Sequence, residues 1–260
     1  MNDFHLFDHS PLWLTFLTIV AIILLAAWVG VIFARLRKTN ASEDNGPLNT
    51  LVGANLALLA FILAFTFGIT TNRYDGRKIY MLEEVNAIET TFLRADLISE
   101  PASTEIKALL KEYVRIRVEL AKDPDMVKEV ISQSSAIQHK IWVVVKDLAK
   151  EEARNDAINA LLIESVNEMF DNQTRRITIF QSHRIPSMIW LALFVVVIFS
   201  MFAVGYLIGR MEKPNWAMIV ALSLAFGAVI LIIIDLDSMG GTIQINHQPT
   251  FDLYQRLLDR

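Results

Sequence analysis

The stretch Leu51–Lys78, LVGANLALLAFILAFTFGITTNRYDGRK, decides the fold. From Leu51 to Ile69 it is apolar apart from Asn55 and Thr66, and at about 1.5 Å per residue it is long enough to cross the hydrocarbon core of a bilayer. Nothing stops it there. Thr70, Thr71, Asn72 and Arg73 follow with no proline and no turn dipeptide, so one helix should leave the membrane and run on into water, from about Leu51 to about Ile98. Gly68 and Gly76 are its weak points, each costing about 1 kcal/mol relative to alanine in a helix interior.

The rest of the chain agrees with a lipid solvent. Of 260 residues, 53% are hydrophobic, too many for an ordinary soluble domain, and they fall into four dense blocks separated by charged sequence. Leu12 to Ala34 is the first crossing, closed by Arg35, Arg37 and Lys38, with Trp13 and Trp28 toward its ends. Residues 51–69 are the second, 188–208 the third and 216–234 the fourth, the last two joined by a tight charged hairpin at Gly209 to Pro214. The N-terminus carries Asp3 and Asp8 and no Lys or Arg in its first ten residues, unlike the basic start of a cleavable signal. A net charge of −4 with no Lys/Arg stripe excludes a nucleic-acid partner. The absence of cysteine removes disulfides, thiolate chemistry and Cys-ligated metals.

Between the second and third crossings, residues 70–186 show helical periodicity throughout. Met81, Val85, Ile88, Phe92 and Ala95 recur every three or four residues, with Glu83, Glu84, Glu89 and Arg94 between them. Pro101 ends that helix, and Ser103 or Thr104 is placed to cap the next, whose stripe runs from Ile106 through Tyr113 to Leu120. A third helix starts near Met126 and a fourth covers about Glu151 to His183, which makes a four-helix bundle. The tail, 235–260, carries Gly240 and Gly241 for a turn, Ile243 and Ile245 for contact with the bundle, and a last amphipathic helix over Phe251 to Leu258. The expected fold is therefore all-α: four transmembrane helices, with an extramembrane helical domain inserted after the second and a tail packing on it.

The short loops bearing Arg35, Arg37, Lys38, Arg210 and Lys213 pull toward the cytoplasm. Arg73, Arg77, Lys78, Arg175, Arg176 and Arg184 on the bundle side pull the same way, so the two tallies nearly balance.

Chemistry is sparse. His5 and His9 share a helical spacing that could place two imidazoles on a metal, but no carboxylate joins them, and two polar residues of a tail is the stronger reading. No Walker loop, nucleophile elbow or metalloprotease motif is present, so neither an enzyme nor a cofactor is expected. None of the four crossings holds an ionisable residue away from its ends, which argues against ion-coupled pumping and leaves a passive path with an apolar constriction, or no path. For such a neck the candidates are Leu58, Phe61, Ile62, Phe65 and Ile69, at helical spacing on the second crossing. Arg73, Asp75, Arg77 and Lys78 would form its mouth or pair between helices. The plainer alternative is a stripe that faces lipid or packs, with basic residues that snorkel. Asp235 and Asp237 are two carboxylates at the end of the fourth crossing; salt bridges to Arg73 or Arg77 fit them better than calcium, which wants six or more oxygens.

Thr71 to Lys78 after a Phe-rich crossing resembles the bestrophin signature, in which a pore helix runs into Asn, Tyr-Asp-Arg and Gly-Arg-Lys. It is more similar still to the bacterial bestrophin-like family, whose pattern is met at Arg73 to Arg77, Glu84 to Ile88 (Glu-x-Asn-Ala-Ile), Leu93 to Leu97 and Tyr113 to Arg117 (Tyr-Val-x-x-Arg). Asp237 to Gly241 resembles the family's Asp-x-x-x-Gly turn, so the resemblance covers most of the chain from the second crossing onward. The Trp-Trp-Glu of bestrophins is missing, and Ser238 and Met239 stand where Pro-Phe would precede the acidic tail, so calcium gating does not carry over.

The resemblance implies a homo-oligomer, pentameric in bestrophins, that sits in the inner cell membrane with its bundle in the cytoplasm. It further implies that small anions pass through a neck lined by the second crossing. The rival is a membrane-anchored helical sensor or scaffold with no transport activity.

Overall fold

A computed structural model describes residues 11–37, 46–123, 126–151, 156–182, 185–211, 214–238 and 242–260. His5, His9, Lys38, Arg184, Lys213, Gly240 and Gly241 lie outside the described residues. Among the described residues there are eight α-helices and no strand: α1 (Leu12–Leu36), α2 (Gly46–Ala95), α3 (Ala102–Lys122), α4 (Val127–Glu151), α5 (Asp156–Ser182), α6 (Ser187–Gly209), α7 (Trp216–Asp237) and α8 (Gln248–Leu258). Four of them, α1, α2, α6 and α7, are long and apolar enough to cross a membrane. The chain divides into two compact units, one of residues 1–74 with 184–244, the other of 75–183 with 245–260.

In the first unit, α1 packs against α6 over most of its length and against α7. Ile19, Ile23 and Val31 of α1 meet Leu193, Val197 and Met201 of α6 and Ile219 and Ile230 of α7 in one core, to which α2 adds Val52, Leu59 and Leu63. Lipid tails are as apolar as leucine, so what holds such helices together is close packing. The α1–α6 seam supplies it with small residues. A β-carbon at Gly30 would stand 2.1 Å from the Phe202 carbonyl oxygen, and one at Gly205 would stand 1.9 Å from that of Ala27. Bulky side chains such as Trp13, Leu17, Leu25, Leu191 and Phe199 point outward.

Three buried hydroxyls inside these apolar helices turn back on their own backbone, where lipid offers no partner, whereas Thr15 Oγ1 and Ser200 Oγ are buried without a hydrogen-bond partner. Thr66 donates to the Ile62 carbonyl at 2.7 Å, Thr70 to that of Thr66 at 2.8 Å and Ser223 to that of Ile219 at 2.7 Å. Asn215 caps α7 by accepting from the Met218 N–H at 3.4 Å.

Helix α2 has 50 residues, about 75 Å at 1.5 Å per residue. It is unbroken through Gly68 and Gly76, and stops at Ala95, three residues short of the expected end, where Asp96 and Leu97 turn back onto the Leu93 and Arg94 carbonyls.

The second unit contains the C-terminal part of α2 with α3, α4, α5 and α8, around a core that includes Ile88, Phe92, Ile106, Leu110, Tyr113, Ile141, Leu162 and Met169. Neither Ser103 nor Thr104 caps α3, because both already lie within its first turn. Glu100 takes that role, its carboxylate accepting from the Thr104 N–H at 3.1 Å. Helix α8 buries Leu253 and Leu257 in the core, and Arg256 forks onto both oxygens of Glu89 at 2.9 and 3.2 Å. Ile243 is exposed and Ile245 half-buried.

Candidate functional site

Three groupings bear on function. The first is the open face of α2. Leu59, Leu63, Thr66 and Thr70 form its buried face, and on the opposite side Phe61 is 68% exposed and Phe65 60%. Their rings stack with centroids 6.5 Å apart. Leu58 is exposed with them, while Ile62 and Ile69 at the edges of that face are half-buried. Ala54, Ala57, Ala64 and Gly68 complete it, so the two phenylalanines and Leu58 are its large side chains.

The second grouping is at the end of α7. Asp235 and Asp237 lie within the last turn of that helix and do not follow it. Arg73 Nη1 stands 3.5 Å from Asp237 Oδ1, which also accepts from the Ile185 N–H at 3.2 Å. Asp235 is buried and takes its donors from the segment after the helix. Its Oδ1 accepts from the Thr242 N–H at 2.7 Å, and its Oδ2 from the Thr242 hydroxyl at 2.8 Å and the Ile243 N–H at 3.1 Å. With three local donors on it, this carboxylate is engaged by backbone and hydroxyl where a guanidinium was the expected partner. Tyr74 donates to the Gln244 carbonyl at 3.3 Å, fixing the same segment. Asp75 and Lys78 are exposed and Arg77 half-buried.

The third grouping is a buried polar cluster in the helical unit that periodicity alone did not reveal. Glu84, placed by its spacing between the apolar positions of α2, is 1% exposed. Its Oε2 lies 2.5 Å from Arg176 Nη1, and its Oε1 lies 3.1 Å from Arg117 Nη2. Arg117 Nη2 also donates to the Tyr113 hydroxyl at 2.8 Å, with the guanidinium over the Tyr113 ring at 4.8 Å. Tyr113 has one proton and two acceptors within reach, Glu84 Oε1 at 2.7 Å and Gln173 Oε1 at 2.5 Å; Gln138 donates to the latter at 2.5 Å.

Burial alone would raise the Glu84 pKa, but the two guanidiniums and the hydrogen bonds from Arg176 and Tyr113 outweigh it and hold it down at about 2. Burial pushes the Tyr113 hydroxyl up. Burial works against the charge of Arg117 too, yet Glu84 keeps it firmly protonated. His247, ahead of α8, is lowered by burial and then by Arg176. Glu84, Tyr113 and Arg117 are the first residue of the Glu-x-Asn-Ala-Ile match and the two ends of the Tyr-Val-x-x-Arg match, and that is the signal that marks them in the sequence.

The Bestrophin-like domain matches residues 17–250, nearly the whole chain. This protein belongs to the bestrophin-like family. It also shares the bestrophin fold. A variant of a bacterial bestrophin homologue from Klebsiella pneumoniae superposes with a TM-score of 0.67 at 16% identity, over 96% of this chain and 98% of that one. A second variant of that homologue gives 0.67 at 15% identity over the same shares. A variant described as a membrane protein gives 0.69 at 14%, over 94% of this chain and 97% of that one. No curated protein matches. The bestrophin-like chain is thus an all-helical membrane protein of bestrophin fold.

Proposed function

We propose that this bestrophin-like protein assembles as a ring in the inner cell membrane and conducts small anions along α2, with an apolar neck at Phe61 and Phe65. The observation that carries the reading is the open face of α2: two stacked phenylalanines, with Leu58 beside them and alanine and glycine around them, opposite the face that packs within its own unit. Copies brought together on that face would place Phe61 and Phe65 around an axis, and the helix runs directly into Arg73, Arg77 and Lys78, which would concentrate anions at one mouth. With no ionisable side chain within the apolar span of α2, a constriction of this kind gates by dewetting. Ile62 and Ile69 flank the neck, and Leu58 stands one turn before it.

Purified protein in a planar bilayer tests this. The wild type passes chloride in preference to sodium, and Phe65→Ala raises conductance or open probability. If neither carries current while the oligomer stays intact, the channel reading fails and a membrane-anchored helical sensor or scaffold takes its place. Mass in detergent gives a separate check, because a monomer or simple dimer has no central axis to line.

A further inference from the structure

We propose that the helical unit carries a seam for further copies of itself. The outward stripe of α2 made by Ile79, Leu82, Asn86 and Leu93, closed by Leu97, packs against the same stripe of neighbouring copies in a parallel helical bundle. The proposal rests on the ring reading above for the presence of neighbours, and on nothing at the neck.

Inside its own unit, the C-terminal part of α2 buries Met81, Glu84, Val85, Ile88, Phe92 and Ala95. The side turned away from that core would be polar if water were its final neighbour. It is not. Ile79, Leu93 and Leu97 are 51%, 45% and 56% exposed, and half-buried Leu82 lies between the first two. Single exposed leucines are ordinary on a protein surface. These are aligned: Ile79, Asn86 and Leu93 follow one another at intervals of seven, and Leu82 falls at the intervening half-step. A seven-residue interval keeps side chains on one line where helices wrap about one another, which is the seam of a coiled coil. Leu97 extends the stripe in the turn where the helix ends, its N–H on the Arg94 carbonyl.

The charges along the stripe are already taken. Glu89 and Asp96 occupy the next two half-step positions, and each is drawn onto a basic residue of its own unit, Glu89 onto Arg256 of α8 and Asp96 onto Lys107 of α3. Both carboxylates are thus neutralised from the side, and the face left for a partner is apolar with one amide in it.

That amide, Asn86, identifies the partner. A carboxamide presents donors and an acceptor together, so it satisfies an identical carboxamide, and a lone asparagine in such a seam sets the register of like helices. Copies of one chain arranged about a ring axis run parallel and bring equal residues to equal height, which puts Asn86 beside Asn86. A lipid surface would leave the same amide without a partner.

The chain has no cysteine, so single cysteines can be placed in the full-length protein without a background. Ile79→Cys, Asn86→Cys and Leu93→Cys probe the stripe, and Ala108→Cys on α3 and Ala136→Cys on α4 are controls at exposed positions elsewhere on the unit. In membranes, a short bis-maleimide should join copies at the stripe positions at least about fivefold more efficiently than at the controls, because a short link, like a disulfide, closes only between backbones that approach. Ile79→Lys together with Leu93→Lys sets like charges at equal height in every copy and should lower the oligomer fraction in detergent at least about threefold. Helix content by circular dichroism should be unchanged, since both sites are exposed in the unit. Stripe yields no higher than the controls in protein of ring mass overturn the seam and leave the ring standing, as does a lysine pair that leaves the oligomer intact. A monomer mass for the wild type overturns both. High stripe yields in protein that carries no current overturn the channel alone.

Discussion

The α-carbon of Gly205 lies against the backbone of Ala27, so close that a β-carbon would sit 1.9 Å from the Ala27 carbonyl oxygen. The two helices therefore touch main chain to main chain, and Gly205→Ala cannot be absorbed by moving a side chain. The expected result is a clear fall in detergent melting temperature for Gly205→Ala and failure to assemble for Gly205→Leu. Gly53→Ala is the control: nothing stands within 4 Å of the added carbon, and it should be neutral or add up to about 1 kcal/mol through helix propensity.

Glu84 sets an acid limit on the helical unit. Its pKa is held at about 2 against an ordinary value of 4.5, so the carboxylate contributes stability that is complete above pH 4.5 and is lost as the pH falls toward 2. Thermal melts followed by circular dichroism should decline steeply across that window. Glu84→Gln should be destabilised by roughly 3–5 kcal/mol near neutral pH, the usual result of removing one partner of a buried ion pair, and should lose the steep acid limb.

Asp235 protects the amides of Thr242 and Ile243. Asp235→Ala removes an acceptor for two N–H groups and one hydroxyl, so hydrogen exchange at both amides should accelerate by at least about tenfold while exchange in α3 and α4 is unchanged. Asp237→Ala should instead free Arg73 and the Ile185 amide. An equal effect of both substitutions at Thr242 would contradict this division of labour.

Arg77→Glu tests the mouth. Reversing a charge repeated in every copy near the entrance should reduce the preference for chloride over sodium, with the shift smaller at high salt. Unchanged selectivity together with unchanged assembly would remove Arg77 from the ion path.

Residue types reveal much of the architecture here. Four apolar blocks announce four helices because only uninterrupted helices satisfy their backbone in lipid, and the continuity of α2 follows from the lack of any breaker after Ile69. Glu84 was hidden by the same logic, since a charged side chain beside an apolar stripe looks solvated until its partners are known. Arg117 and Arg176 arrive from α3 and α5, far along the chain, and no periodicity links them to it. Asp235 was obscured for another reason. Its partners are mainly backbone N–H groups, which every residue but proline carries and which leave no mark in a sequence.

The pairing of α1 with α6 also orders events during synthesis. Helix α1 ends at Leu36 and its main partner begins at Ser187, about 150 residues later, or roughly 8–30 s of elongation at ~5–20 residues per second. Throughout that interval α1 stands in the bilayer with Ala27 and Gly30 uncovered. An open groove of small apolar residues waits in lipid without solvation cost, where an unpaired polar seam would recruit the wrong neighbour. Substitutions along the groove should consequently leave insertion of α1 intact and act late, when the returning chain presents α6 for docking.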